Sequence, residues 1–379
     1  MLSLSPTPAP CVDSPLATRG SGISFPIGFD ILPCYAAFDT EEGALSEKPL
    51  IAITQGDPCG IGPEVVARAL GDGAPHRTSR PVVIGCAESM RTGARVAGVE
   101  MEVRGVSALD GAGADPGTID VLDEGLLDPS RIAPGQVVPE CGRANGRWLA
   151  RAAELCASGS AAATVMAPVN AEALIRGGAA VELLGMDEAS RYLTLLSGPL
   201  RVVHLFDHVP LEDVCRRVSR TLVERAVVKT HDALSGWGIR SPRIGVSGLN
   251  PHAHGPQEER AIAPGVEAAR AQGIDVAGPI APDTVFRHCI EGRYDVVVAM
   301  CHDQGHIAVK TWGFAGNCAL FLGAPYLFLS VGHGTAFDIV GRGVADASML
   351  LAAILQAASL ASGRGFVREF GELGAGQAR

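Results

Sequence analysis

From residue 49 onward the chain alternates short aliphatic runs with glycine- or proline-rich breaks and stretches of helical periodicity. Leu50-Ile51-Ala52-Ile53 predicts a buried strand, followed by a glycine loop and a helix that opens at Pro63 and runs through Leu70. Pro81–Gly85 predicts a second strand, and Ala163–Ala167 another that stops at Pro168. Further strands are predicted at Arg201–Leu205, Arg243–Ser247, Tyr294–Met300 and Tyr326–Val331. Helical spacing covers Asn145–Ser158, Leu211–Asp232, Glu258–Gln272 and Ala345–Ala361. Residues 99–142, rich in Gly, Pro and Asp, suit short strands and loops. Strands alternating with helices imply an α/β fold with a largely parallel sheet covered on both faces.

Composition narrows the function classes. With 379 residues, 47% hydrophobic and 5% aromatic, the chain can bury a large aliphatic core. A formal charge of -10 argues against nucleic acid as partner, because phosphate binding needs basic surface, and points to a small molecule. No apolar run approaches the length of a membrane span. Residues 1–48 lack the pattern of a secretory signal and suit a poorly ordered extension. None of the ten cysteines falls at C-x-x-C spacing, which fits free thiols in a reducing cytoplasm. Lys48, Lys229 and Lys310 are the only lysines, so Lys310 draws notice.

The chemistry collects at strand ends. His208, His252 and His302 each follow an apolar run and open a loop, where ligands gather in open α/β sheets. One histidine is usually a satisfied core or surface residue, but three such positions suit a divalent ion, Zn2+ first, with a coordination position left for substrate. The spacing does not choose within His204/His208, His252/His254 and His302/His306. Asp303, Asp283 and Lys310 are candidate acid–base groups, with surface ion pairs and turn caps as the plainer alternatives. Gly56–Glu64 links a strand to a helix start that would suit an anion, or is a tight turn with Pro at the first helical position. Gly332–Asp338 is a second glycine loop able to approach a flat ligand, or an ordinary turn.

Together the blocks Gly56–Glu64, Leu249-Asn250-Pro251-His252-Ala253, Pro282-Asp283-Thr284, Ala299–Gly305 with Lys310, and His333-Gly334-Thr335-Ala336 resemble the 4-hydroxythreonine-4-phosphate dehydrogenase (PdxA) family. The resemblance spans about Ile51 to Ala358. It implies two α/β/α domains around a cleft, like isocitrate and isopropylmalate dehydrogenases, here 49–165 plus 335–379 and 166–334, with the metal site in the latter. It further implies a homodimer whose site lies at the subunit interface, with His208, His252 and His302 as metal ligands, one of the three coming from the partner subunit. Asp283, Asp303 and Lys310 then fall on catalytic positions, and His333, Gly334, Thr335 and Ala336 on the loop that contacts NAD or NADP. The implied reaction oxidises a secondary alcohol of a hydroxy acid and releases CO2.

Departures from the family pattern shift the substrate. Ala319 and Phe328 stand where the family carries an asparagine and an arginine, Gly332 replaces an aspartate, Ala171 replaces a lysine, and no His-Thr pair occurs near residue 182. Loss of charge-assisted bonds weakens phosphate recognition. Ser330–Gly334 and Leu184–Glu188 are closer to the terephthalate cis-dihydrodiol dehydrogenase branch. The sequence therefore favours a non-phosphorylated substrate such as a cis-dihydrodiol carboxylate. Its alternatives are 4-hydroxythreonine 4-phosphate and, in another class, a non-catalytic metabolite-binding protein.

Overall fold

In the computed structural model, which describes residues 48–179, 191–313 and 316–367, twelve strands form one sheet. They are β1 (Leu50–Thr54), β2 (Arg80–Ile84), β3 (Glu102–Val106), β4 (Thr118–Leu122), β5 (Ala163–Met166) and β6 (Tyr192–Ser197). The chain continues through β7 (Leu200–Phe206), β8 (Ile244–Ser247), β9 (Val276–Ile280), β10 (Val296–Cys301), β11 (Cys318–Leu322) and β12 (Leu327–Ser330). Their spatial order is β3-β4-β2-β1-β5-β12-β11-β6-β7-β10-β8-β9. Helices connect most of the strands, which bears out the α/β reading.

The sheet is not parallel throughout. The blocks β3-β4-β2-β1-β5-β12 and β7-β10-β8-β9 are each parallel, but β11 and β6 between them pair antiparallel with their neighbours. Three reversals from β12 to β7 leave the two blocks running in opposite senses. The expectation of a largely parallel sheet missed β6 and β11. Both belong to tight reversals: Gly198-Pro199 turns β6 into β7, and Gly323 and Pro325 lie in the turn between β11 and β12.

Both sheet faces are covered. Along β1, Ile51 and Ile53 pack into one apolar cluster and Leu50 and Ala52 into another. Ile51, Ile53 and Val83 are fully buried, and each such side chain contributes about 1.5–3 kcal/mol. Helix boundaries shift where caps intervene. The predicted Leu211–Asp232 helix is two helices, Leu211–Arg217 and Arg220–Gly236, because Ser219 Oγ accepts from Leu222 N–H and starts a new N-terminus. The predicted helix from Glu258 begins as a π-helical turn, Glu258–Ile262, before Ala263–Arg270; Pro264, with no N–H to donate, sits just past the change. Among the described residues no helix is long and apolar enough to cross a membrane. The predicted extension, save Lys48, lies outside the described residues.

Candidate active site

Sheet register decides which strand-end residues meet. β7, β10 and β8 are neighbouring parallel strands, with Ala299 opposite His204 and Val298 opposite Val246. Their carboxyl ends therefore emerge at one sheet edge. His208 follows β7, His302 opens the helix His302–Trp312 directly after β10, and His252 lies in the turn Pro251–Ala253 after β8. The His208 and His302 rings are 5.1 Å apart, and possible ligand atoms of Asp207, His208 and His302 all lie within 4.8 Å of one another. His252 is exposed, with φ of 57°, and is not in that group.

Two further histidines back the cluster. His302 and His306, one helical turn apart, stack at 3.6 Å and 17°, and His306 lies 4.8 Å from His204. His204 is buried in β7 and its Nδ1 is 2.8 Å from the Leu193 carbonyl. Since a carbonyl only accepts, Nδ1 carries the proton, and the buried Nε2 is left with a lone pair and no partner. Burial drives its pKa down to about 3, against the pull of the Leu193 carbonyl. His306 is lowered to about 4 by burial, then by His302, with Lys310 adding to the effect. Both rings are therefore neutral near physiological pH.

The donor set fits a divalent ion. Asp207 Oδ1 is buried and accepts no hydrogen bond; His208 Nδ1 is 3.2 Å away without hydrogen-bond geometry. His302 Nδ1 is 2.8 Å from Asp303 Oδ1, which leaves Nε2 for a ligand, the arrangement by which a carboxylate orients a metal-binding imidazole. One carboxylate and two imidazoles suit Zn2+ and its first-row neighbours. The sequence reading missed Asp207, although its signal was present: a carboxylate directly before His208 at a strand end.

The other proposed catalytic groups border this edge. Asp283 is exposed and accepts from the Thr284 hydroxyl at 3.0 Å. Asp283 and Asp303 line one cavity of about 690 Å³, whose walls include Leu211, Leu249, Phe286, Ile307 and Trp312. Lys310 is exposed and lies eight residues beyond His302, so His302, His306 and Lys310 share one helical face.

Two polar side chains, unforeseen, tie the histidine loops together. Gln304 Oε1 accepts from Met300 N–H at 3.0 Å, while its Nε2 donates to the Gly248 carbonyl at 3.0 Å, bridging β10 to the loop after β8. Glu258 accepts from Leu249 N–H, Asn250 N–H and Asn250 Nδ2 at 2.7, 2.9 and 2.7 Å. Its carboxylate thereby clamps the start of the His252 loop.

The two glycine loops meet in the other parallel block. Ile61 N–H donates to the Thr335 carbonyl at 3.0 Å, and a Cβ at Gly60 would lie 2.7 Å from Thr335 Cβ. Only glycine permits that approach. Thr335 is buried, Gly334 is exposed, Ala336 has φ of 43°, and His333 Nε2 is buried without a partner while its Nδ1 is 2.9 Å from Gly334 O. A strained loop with an orphaned imidazole nitrogen fits a nucleotide-contacting role. Beneath it, Asp57 is buried; desolvation raises its pKa to about 6 against the bond from Cys59 N–H. The segment with the missing His-Thr pair and Leu184–Glu188 lies outside the described residues.

Comparison with known proteins adds a family to this geometry. The model of the family described as "Pyridoxal phosphate biosynthetic protein PdxA" matches residues 77–357. A putative 4-hydroxythreonine-4-phosphate dehydrogenase of Novosphingobium aromaticivorans is 50% identical over 319 residues, 84% of this chain and 97% of that protein. The crystal structure of a 4-hydroxythreonine-4-phosphate dehydrogenase from Burkholderia phymatum is 38% identical with a TM-score of 0.74, covering 82% of this chain and 98% of its own. A terephthalate 1,2-cis-dihydrodiol dehydrogenase from Burkholderia xenovorans LB400 is 32% identical with a TM-score of 0.61, over 82% and 98%.

Proposed function

Because this chain belongs to the PdxA family, we propose that it is a metal- and NAD(P)-dependent dehydrogenase that oxidises a secondary alcohol of a hydroxy acid, with loss of CO2. The observation that carries the reading is the convergence of Asp207, His208 and His302 beside Asp303. When bound, the ion supplies Lewis acidity at the substrate oxygens and the nicotinamide supplies the hydride acceptor.

The chain's own residues do the rest. Asp207, His208 and His302 would hold the ion, and Asp303 fixes the His302 ring through Nδ1, leaving Nε2 free for it. The neutral His204 and His306 pack behind the ligands without adding positive charge. Lys310 Nζ takes the alcohol proton, with Asp303 or Asp283 passing it to water; these roles follow their position along the same edge. His333, Gly334, Thr335 and Ala336 receive the dinucleotide. Oxidation of a hydroxyl on the carbon β to the carboxylate gives a β-keto acid, which loses CO2.

We also propose that the active form is a homodimer in the cytoplasm, with 49–165 plus 335–379 and 166–334 as its domains. Leu211, Ile307 and Trp312 are 61%, 66% and 47% exposed around the cavity beside the site. A second copy would cover that apolar face. It would also bring the fourth ligand, His252 completing the set from one subunit or the other. The eight cysteines among the described residues are free thiols, in keeping with a reducing compartment.

The substrate reading rests on Phe328. Where the family carries an arginine, this ring is buried and packs 5.2 Å from Phe321 and 6.2 Å from Tyr326, with Ala324 and Met166 around them. Ala319 likewise offers no hydrogen bond. A buried aromatic cluster at this position supplies no cation for a phosphate, which supports a non-phosphorylated acid such as a cis-dihydrodiol carboxylate. The second reading, 4-hydroxythreonine 4-phosphate, is favoured by the 50% identity to the Novosphingobium protein. A comparison of NADH and NADPH formation with each substrate, with and without Zn2+ or Mg2+, tests both. Metal-dependent turnover of the dihydrodiol carboxylate alone is the expected result; turnover of the phosphate ester alone reverses the substrate assignment. Reduction with neither, with the dinucleotide still bound, would favour a metabolite-binding role.

A further inference from the structure

Cys59 and Cys141 have no part in the chemistry above, yet their sulfurs meet. They are 82 residues apart in the chain, both fully buried, with Sγ atoms 3.5 Å apart. Cys59 sits in the loop between β1 and the helix Gly62–Gly71, and Cys141 in the first turn of the helix Pro139–Ala157. The contact with Cys141 holds the Cys59 thiol below the usual thiol range, and the same contact pushes Cys141 up. Of the two, Cys59 is the readier nucleophile.

We propose that Cys59 and Cys141 form a reversible disulfide driven by hydrogen peroxide, and that this bond loosens dinucleotide binding. The Cys59 sulfur attacks one peroxide oxygen and the O–O bond breaks. Cys59 becomes a sulfenic acid, and the other oxygen leaves with the thiol proton as water. The Cys141 sulfur then attacks Cys59 sulfur, forming the S–S bond and expelling the sulfenic oxygen, which takes the second thiol proton and leaves as water. Two thiols lose one electron pair and two protons, and one peroxide becomes two waters. A dithiol reverses the step by exchange. Peroxide is small enough to reach a buried sulfur.

Closure transmits movement because one partner is wedged and the other is coupled. A disulfide brings the sulfurs to about 2.05 Å, a contraction of about 1.5 Å from the observed contact. The helix side is anchored by close packing on Ala171–Arg176: a Cβ at Gly142 would lie 1.9 Å from the Ala173 carbonyl. The Cys59 side is tied to its surroundings, with Cys59 N–H on Asp57 Oδ1 at 2.9 Å and Gly135 N–H on the Cys59 carbonyl at 2.8 Å. Next along the loop, Gly60 and Ile61 carry the Thr335 contact. Contraction therefore falls on the loop beneath His333–Ala336.

The test needs no turnover, so its outcome is separate from the substrate and reaction readings. The full-length protein is treated with peroxide, its remaining thiols are alkylated, and the digest is mapped by mass spectrometry. A peptide pair joined through Cys59 and Cys141, lighter by two hydrogens and released by dithiothreitol, is the expected result. Alkylation of both residues after other cysteines have been oxidised overturns the proposal. Calorimetric titration with NAD+ and NADP+ reads the second half: the oxidised form should bind the preferred one about tenfold more weakly. Cys141→Ala should bind as the reduced protein does and show neither the cross-link nor the tenfold loss of affinity after peroxide. A cross-linked protein with unchanged affinity overturns the coupling.

Discussion

Asp57 is a carboxyl whose environment works against its charge. Burial raises its pKa from 3.8 to about 6, so between those values the folded chain holds a proton that the unfolded chain has lost. Its contribution to stability is thus greatest below the unfolded pKa and is lost as pH rises through about 6, by up to about 3 kcal/mol. His204 runs the other way: its pKa falls from 6.5 to about 3, so stability present above 6.5 is lost as pH falls. Asp57→Asn keeps an acceptor for Cys59 N–H and removes only the first effect. Urea melts across about pH 4 to 8 should show the variant gaining on the wild type through the Asp57 window and holding its lead above it. An offset that does not change with pH would contradict the buried-carboxyl account. None of this was legible in the sequence, where Asp57 is one more loop aspartate and His204 one of a close pair.

The helix His302–Trp312 is seated on β7 by an absent side chain. A Cβ at Gly305 would lie 2.1 Å from His204 Nε2 and 2.7 Å from Val202 Cγ1. Gly305→Ala should therefore force helix and strand apart, costing about 1–3 kcal/mol in chemical denaturation. Because His302 and His306 ride on that helix, zinc affinity should fall with it. The loop after β8 depends instead on a carboxylate. Glu258→Ala leaves the Leu249 and Asn250 N–H groups without their acceptor, with an expected loss of about 1–3 kcal/mol. Hydrogen exchange should quicken at residues 249–254 while β10 stays protected, and Glu258→Gln should restore part of the protection. The motif around His252 was visible in the sequence. Its clamp was not, because the bonds that define it form only once the chain has turned.

The apolar face formed by Leu211, Ile307 and Trp312 is the surface that the proposed homodimer would cover. Placing a charge there with Ile307→Asp and Trp312→Asp should cost little in subunit stability, since both side chains are already exposed. Sedimentation equilibrium should then report monomers where the wild type gives dimers, with metal-dependent activity lost together with the dimer. A double variant that remains dimeric and active would remove this face from the proposed interface.

Local patterning was enough for the α/β class, for most of the strands and for the strand-end positions of His208, His252 and His302. Aliphatic runs, helical spacing and loop glycines are short-range signals, and the chain states them plainly. Pairing is a long-range matter. That β6 and β11 reverse the sheet, that Asp207 joins His208 and His302, and that His204 and His306 stand behind them follow from register between segments about a hundred residues apart. The contact between Cys59 and Cys141 has the same origin. Which side chains share a space is fixed by how strands and helices pack, and no window along the chain contains that information.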